Sequence, residues 1–372
     1  MAKMMKFYAI AALTVGTLFL SSCSLFERQA ERWQSVSTAT CLNGDDMWIQ
    51  ACSITSCKEQ VFVLDGAHWR LLRKDIDGQV YYLDCRELSF PYDMAVNVQG
   101  EIFIADTGNH VIRRISNEGV ISIFAGRVGI AGFTDGAKEQ ALFHWPCGVA
   151  VDQQGGIIVA DSGNNALRKI HTNGDVETLV GRQEESGPVI FTKTIEGREV
   201  TCESRDGDRS VATLRNPIRV AVDQGNRVFI LCAARDETHF DNMVRCYDPD
   251  GKLVTLAGET HVEAQFRDGV GREARFFDPR DVAVDFRGNA YVLDSGAIRR
   301  ISSHGEVVTV VGRFQSGSWS QKEGDGKNGK RSDVFQRPSC LESDKNGNLY
   351  IGDGPFIWQM TPELKVSLYR SF

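Results

Sequence analysis

From residue 43 to the C-terminus the chain alternates short apolar runs with polar turns made of Asp, Asn and Gly, and the alternation repeats. The clearest units are MAVNVQGEIFIADTGNHVIRRISNEGVISIFAG (94–126), VAVDQQGGIIVADSGNNALRKIHTNGDVETLVG (149–181) and VAVDFRGNAYVLDSGAIRRISSHGEVVTVVG (282–312). Weaker copies lie at 220–258 and 341–369, and the most degenerate at 53–83. Each reads as four short strands, rich in Val, Ile and aromatics, punctuated by turn residues. The inner runs, such as Val149-Ala150-Val151 and Ile102-Phe103-Ile104, are apolar at consecutive positions, the mark of strands buried on both faces. A sandwich would leave one wet face per strand. Sheets stacked around an axis would not, so the pattern predicts an all-β, six-bladed β-propeller with four antiparallel strands per blade. The blades fall at about 43–90, 91–144, 145–215, 216–277, 278–336 and 337–372.

Residues 1–22 obey a different pattern. Lys3 and Lys6 precede an almost wholly apolar run from Phe7 to Leu20, too short for a membrane span but suited to a signal peptide. Leu20-Ser21-Ser22-Cys23 follows and resembles a bacterial lipobox. That resemblance implies acylation of Cys23, a tether over 23–42 and, with Ser24 after the cysteine, sorting to the outer membrane of a diderm envelope. The membrane would then be one partner, reached through lipid on Cys23.

The repeats resemble the NHL repeat through Pro146-x-Gly148-Val149-Ala150-Val151-Asp152 and Ile158-Val159-Ala160-Asp161-x-Gly163-Asn164. A linker signature, D-G-x4-A-x-[FL]-x2-P, recurs at Asp135 to Pro146, Asp206 to Pro217 and Asp268 to Pro279, with a looser copy from Asp325 to Pro338. The resemblance implies a propeller over 43–372. It says little about activity, since such folds carry scaffolds, nucleic-acid binders and enzymes.

Composition narrows the field. The formal charge of −7 becomes −9 once Lys3 and Lys6 are removed, which argues against nucleic acid as a partner. Ten cysteines point to an oxidising compartment. With Cys23 acylated nine remain, so at least one is unpaired. Cys41, Cys52, Cys85 and Cys340 are candidates for a covalent closure where blade one meets blade six.

Antiparallel topology puts the starts of strands one and the ends of strands two on one face, the top. The long insertions at 182–205, 233–242 and 313–332 fall there, whereas the bottom turns are short. Loops on a rigid scaffold commonly bind. The strand-one positions read from the alignment as ringing the channel are Cys52, Asp93, Gly148, Arg219, Asp281 and Cys340. With Arg280, the charged members Asp93, Arg219 and Asp281 form the candidate ligand face; the plainer expectation is that the charges are solvated and pair with one another. A second ring (Asp65, Asp106, Asp161, Cys232, Asp294, Asp353) reads as structural, its carboxylates accepting turn N–H groups. Arg113, Arg114, Arg168, Arg299 and Arg300 on third strands read as outer side chains that cover apolar surface and pair with the Asp/Glu excess, rather than as a basic stripe for phosphate. The histidines have no metal-ligand spacing, and no catalytic motif appears; neither cofactor nor metal is expected. The reading is a membrane-tethered binding module for a protein, peptide or glycan. The alternative is a propeller enzyme of lactonase, strictosidine synthase or amidating-lyase type with a channel-mouth site.

Overall fold

The computed structural model describes residues 33–35, 51–57, 60–66, 68–75, 77–181, 191–195, 198–202, 204–235, 240–262, 265–312, 335, 338–354 and 356–371. Cys23, Cys41 and the 313–332 insertion therefore lie outside the described residues. Six antiparallel sheets form a closed ring of blades, each meandering outward from an innermost strand. The innermost strands are Ala51–Cys57, Pro91–Val96, Pro146–Val151, Pro217–Val222, Pro279–Val284 and Pro338–Ser343.

The core is six clusters, one at each blade-to-blade interface. Phe103, Ala105, Val149 and Val159 pack between blades two and three, for example, and Leu231, Val244, Val282 and Val292 between blades four and five. This is why both faces of the inner strands are apolar. All four strands of every blade come from consecutive sequence, so no strand is exchanged where blade six meets blade one. That seam is closed by packing of Ala51, Ile54, Val61, Val63 and Leu72 against Cys340, Tyr350 and Ile357. The expected covalent closure is not seen: Cys52, Cys85 and Cys340 are free thiols, and no disulfide occurs among the described residues. Cys52 and Cys85 pack in the interface of blades one and two, whereas Cys340 packs in the seam.

The linker signature acquires a purpose. Gly136–Ala137, Gly207–Asp208 and Gly269–Val270 each add a short fifth strand to the outer edge of the following blade. The aspartate before each strand is a clasp. Asp135 accepts from Arg168 Nη2 (2.7 Å) and from Thr178 Oγ1 (2.9 Å). Asp206 does the same with Arg245 and Thr255, and Asp268 with Arg299 and Thr309. Downstream, Ala141 and Phe143, Ala212 and Leu214, and Ala274 and Phe276 are buried between blades. In blade one the fifth strand is Gln34–Ser35, paired with Tyr82 and Tyr81. The Trp33 ring lies 4.7 Å from the Arg73 guanidinium, which also covers Tyr81 at 4.5 Å.

These contacts correct one expectation. Arg168 and Arg299 do not cover the outer surface but are fully buried, and Arg113 is nearly so. They reach the second-ring aspartates: Arg113 to Asp106 at 2.9 Å, Arg168 to Asp161 at 2.8 Å and Arg299 to Asp294 at 3.0 Å. Arg114, by contrast, faces solvent beside Glu101. The second ring is structural, as read. Asp106, Asp161 and Asp294 accept backbone N–H groups from Ser89, His144 and Phe277 of the incoming linker. In blades two to six an Asp or Asn closing the inner strand caps the bottom turn, as Asp152 Oδ1 does for the N–H groups of Gln154 and Gly156.

Candidate functional site

Each first strand is bulged near its start, so that its first residue and its third, rather than its second, pair with consecutive residues of strand two. The ring facing the channel top is therefore Ser53, Asp93, Gly148, Arg219, Asp281 and Cys340. Cys52 belongs one residue higher, level with Tyr92, Cys147, Ile218, Arg280 and Ser339. Blade one lacks the proline that marks the bulge elsewhere, so its repeat spacing alone points to Cys52 instead of Ser53.

The ring charges pair, but they are not solvated: Asp93, Arg219 and Asp281 are 7%, 4% and 6% exposed. Arg219 spans the axis from blade four. Its Nη1 donates to Tyr92 O and its Nη2 to Cys52 O, both at 2.9 Å, while Nε lies 3.2 Å from Asp281 Oδ1. Its guanidinium sits 4.2 Å from the Tyr92 ring centre. Asp93 accepts from Ser53 Oγ (2.9 Å) and Val149 N (3.0 Å), and Asp281 from Leu341 N (2.8 Å). Gly148 is required here, because a Cβ would sit 2.8 Å from the Arg219 Cα. Arg280 is not brought into this cluster; it is exposed and pairs with Asp278 at 2.8 Å. The upper channel is thus plugged by an arginine, and the carboxylates an enzyme would need at the mouth are already engaged.

Below the plug lies a cavity of ≈170 Å³ lined by the inner strands. At its waist five blades present Thr55, Ala95, Ala150, Ala221 and Ala283; the sixth presents Glu342. No donor among the described residues reaches the Glu342 carboxyl. Burial, then the nearby Asp281, Asp93 and Asp344, hold it well above the usual 4.5 of a glutamate. Burial also raises Asp281 and Asp93, against the pull of Arg219. Sequence reasoning missed Glu342, although it breaks the alanine column of the V-A-V strands.

A pH dependence follows. A carboxyl with a raised folded-state value holds its proton where the unfolded chain has lost it. The folded state then binds more protons above about pH 4.5, and stability falls as pH rises through that window toward the raised value. Urea midpoints measured at pH 5 and pH 8 should show a smaller loss at pH 8 for Glu342→Gln than for the parent. Equal losses would mean Glu342 is ionised in the folded protein at both.

Around the plug the top face carries aromatic residues in an unusual backbone state. Trp69, Phe90, His110 and Trp145 have φ of 55°, 48°, 60° and 52°, a left-handed conformation that Asn tolerates and bulky residues resist. The repeat shows the contrast, since Asn165 stands where blade one has Trp69 and blade two His110, and Asn216 where Phe90 and Trp145 stand. Packing does not explain Phe90 and Trp145, which are 74% and 58% exposed; Trp69 and His110 are half-buried. Trp69 meets Phe90 edge-on at 6.2 Å, and His144 meets both Trp145 (6.3 Å) and His110 (5.6 Å). The Trp145 backbone N–H donates to His110 Nδ1 at 3.2 Å. With Tyr92 they form a crescent over blades one to three. Phe90→Asn and Trp145→Asn are expected to leave stability unchanged or raise it by up to ~1 kcal/mol. A loss above that size in chemical denaturation would make them packing residues instead.

Two of the top insertions carry strands. Phe191–Ile195 and Arg198–Cys202 pair antiparallel within 182–205, and in blade four strands Val228–Arg235 and Phe240–Tyr247 extend their ladder into the 233–242 insertion as far as Arg235 and Phe240.

The NHL repeat family model matches residues 143–170. Over 212 residues the chain is 35% identical to the protein SUPPRESSOR OF QUENCHING 1, chloroplastic, of Arabidopsis thaliana; the match covers 56% of this chain and 19% of that relative, so the chain corresponds to about a fifth of its length. Among solved structures, an auxiliary nutrient binding protein from Bacteroides thetaiotaomicron superposes with a TM-score of 0.58 at 13% identity, covering 86% of this chain and 69% of that one. Virginiamycin B lyase from Staphylococcus aureus does so with a TM-score of 0.50 at 12% identity, covering 91% and 87%. At such identities the likeness is one of fold.

Proposed function

We propose that this chain is a lipid-anchored, extracytoplasmic binding propeller whose top face captures a protein, peptide or glycan. The observation carrying the reading is the crescent of Trp69, Phe90, Tyr92, His110 and Trp145, four of them at left-handed positions, with Phe90, Tyr92 and Trp145 exposed and Trp69 and His110 half-buried. Strain without packing gain marks positions kept for something other than stability. Exposed Trp, Tyr and Phe are the residues that anchor partners most effectively. A nutrient-binding protein shares the architecture.

Two measurements test it. A photo-crosslinking residue at position 90 or 145, irradiated in the native envelope, should trap a discrete adduct that the same residue at Val98, on the bottom face, does not. Adducts from position 98 alone would place recognition on the opposite face. Separately, Cys23→Ala should move the protein from the membrane fraction to the soluble fraction and abolish palmitate incorporation. Retention with no label in the parent would remove the anchor while leaving the binding face standing.

A further inference from the structure

We propose that the outer edge of blade two is a docking strand for an extended acidic segment of another protein, one that carries an Asp-Gly pair. Four of the six blades have that edge filled from within the chain. Blades three, four and five take the linker strands Gly136–Ala137, Gly207–Asp208 and Gly269–Val270, and blade one takes Gln34–Ser35. The linker into blade two, residues 85–90, contains no Asp-Gly pair, and the sheet stops at its fourth strand, Ile121–Ala125. Blade six also ends at its fourth strand, but much of the segment that precedes it lies outside the described residues. An outermost strand presents unused N–H and C=O groups in register for one more strand.

The filled blades show what the open edge would take. In blades three to five a third-strand arginine stands opposite a fourth-strand threonine: Arg168 and Thr178, Arg245 and Thr255, Arg299 and Thr309. The linker aspartate joins the two. Asp135 Oδ2 accepts the Thr178 N–H at 3.0 Å and Asp268 Oδ2 the Thr309 N–H at 2.9 Å, so these N–H groups point away from the third strand. Blade two keeps the arginine and lacks the aspartate. Arg113 stands opposite Ile123 in the same register, which puts the Ile123 N–H on the open edge. Arg113 is buried, yet its Nε alone is hydrogen-bonded, to Asp106. The Glu87 carboxylate lies 3.9 Å from Nη1, beyond hydrogen-bond reach. Arg168, by contrast, donates through Nε and both Nη groups to Asp135, Asp161, Thr134 O and Leu142 O. A buried guanidinium with idle donors beside an open strand calls for the carboxylate that Asp135, Asp206 and Asp268 supply elsewhere. Ile123 is 50% exposed, whereas Thr178, under its clasp, is 5% exposed. Glycine follows the aspartate because Gly136 and Gly207 have φ of 111° and 147°, which other residues resist.

The test titrates the full chain into a dye-labelled peptide, GFTDGAKEQ with blocked ends, the sequence of residues 132–140, followed by fluorescence anisotropy. Saturable binding of one peptide per chain is expected. Asparagine in place of the peptide's aspartate should weaken it about 10-fold or more, the scale of a lost hydrogen bond to a charged group. Ile123→Pro removes the outward N–H at a position where an edge strand tolerates proline, and should weaken binding similarly. Ile123→Thr restores the clasp threonine and should tighten binding about 3-fold. Circular dichroism would verify folding of both variants, and the asparagine peptide decides the matter if Ile123→Pro does not fold. No saturable binding, equal affinity for the two peptides, or unchanged affinity in both Ile123 variants would each overturn the proposal. A dimer of the chain alone that Ile123→Pro dissolves in sedimentation would assign the edge to a second copy instead. Crosslinks from positions 90 and 145 report on the top face and stand apart from all of these outcomes.

Discussion

Arg219→Met is expected to destabilise the propeller by about 3–5 kcal/mol, the range for removing one partner of a buried charge cluster, measured as a fall in urea midpoint at neutral pH. The arginine is 4% exposed and spans three blades, and its loss strips Asp281 of its ion pair while leaving Asp93 close by. It also orphans the carbonyls of Cys52 and Tyr92, which are held at 2.9 Å. Two facing carboxyls then keep protons instead of a guanidinium, so the deficit should shrink on acidification. The triple variant Asp93→Asn, Arg219→Met, Asp281→Asn should recover much of the loss, since removing all buried charges together is far cheaper than removing one. A deficit below about 1 kcal/mol in the single variant, the scale of an exposed pair, would mean the plug is solvated.

Arg168→Ala should be comparably damaging, again about 3–5 kcal/mol. The side chain is fully buried, ties Asp161 to the Asp135 clasp, and donates to Thr134 O and Leu142 O. Phe133 and Phe143 flank the guanidinium at 4.9 and 5.1 Å. Arg114→Ala, at the next repeat position but exposed beside Glu101 at 3.5 Å, is expected to cost no more than ~0.5 kcal/mol. Equal costs for the two would show that the clasp is not what joins linker to blade. Lysine at 168 should rescue little, because a single ammonium cannot address a carboxylate on each side.

The blade architecture was readable because it repeats: the V-A-V runs, the x-G turns and the D-G linkers carry the same physics in each copy. The second-ring aspartates were read as turn acceptors for the same reason. Errors arose where one copy departs from the others or where a long side chain chooses its direction. Cys52 was placed in the ring instead of Ser53 because the bulge of blade one has no proline. Arg168 and Arg299 were assigned to the outer surface because residue type does not say that Asp135 and Asp268 fold back over the blade edge to meet them. Phe90 and Trp145 precede prolines, which was visible, but a φ near 50° comes only with coordinates. Glu342 was visible as a break in an alanine column, and its meaning needed the cavity it faces.

The route of the chain into blade one has a mechanical corollary. Trp33 and the two residues after it meet the ring at its rim, laid along Tyr81–Tyr82 with the indole resting on Arg73. The next strand in the sequence, Ala51–Cys57, is the innermost of the same blade and carries the Cys52 carbonyl that holds Arg219. The edge pair therefore acts as a mechanical fuse: a pull from the leading end is borne by Gln34–Ser35 while they stay paired, and once they strip it falls directly on the strand that braces the plug.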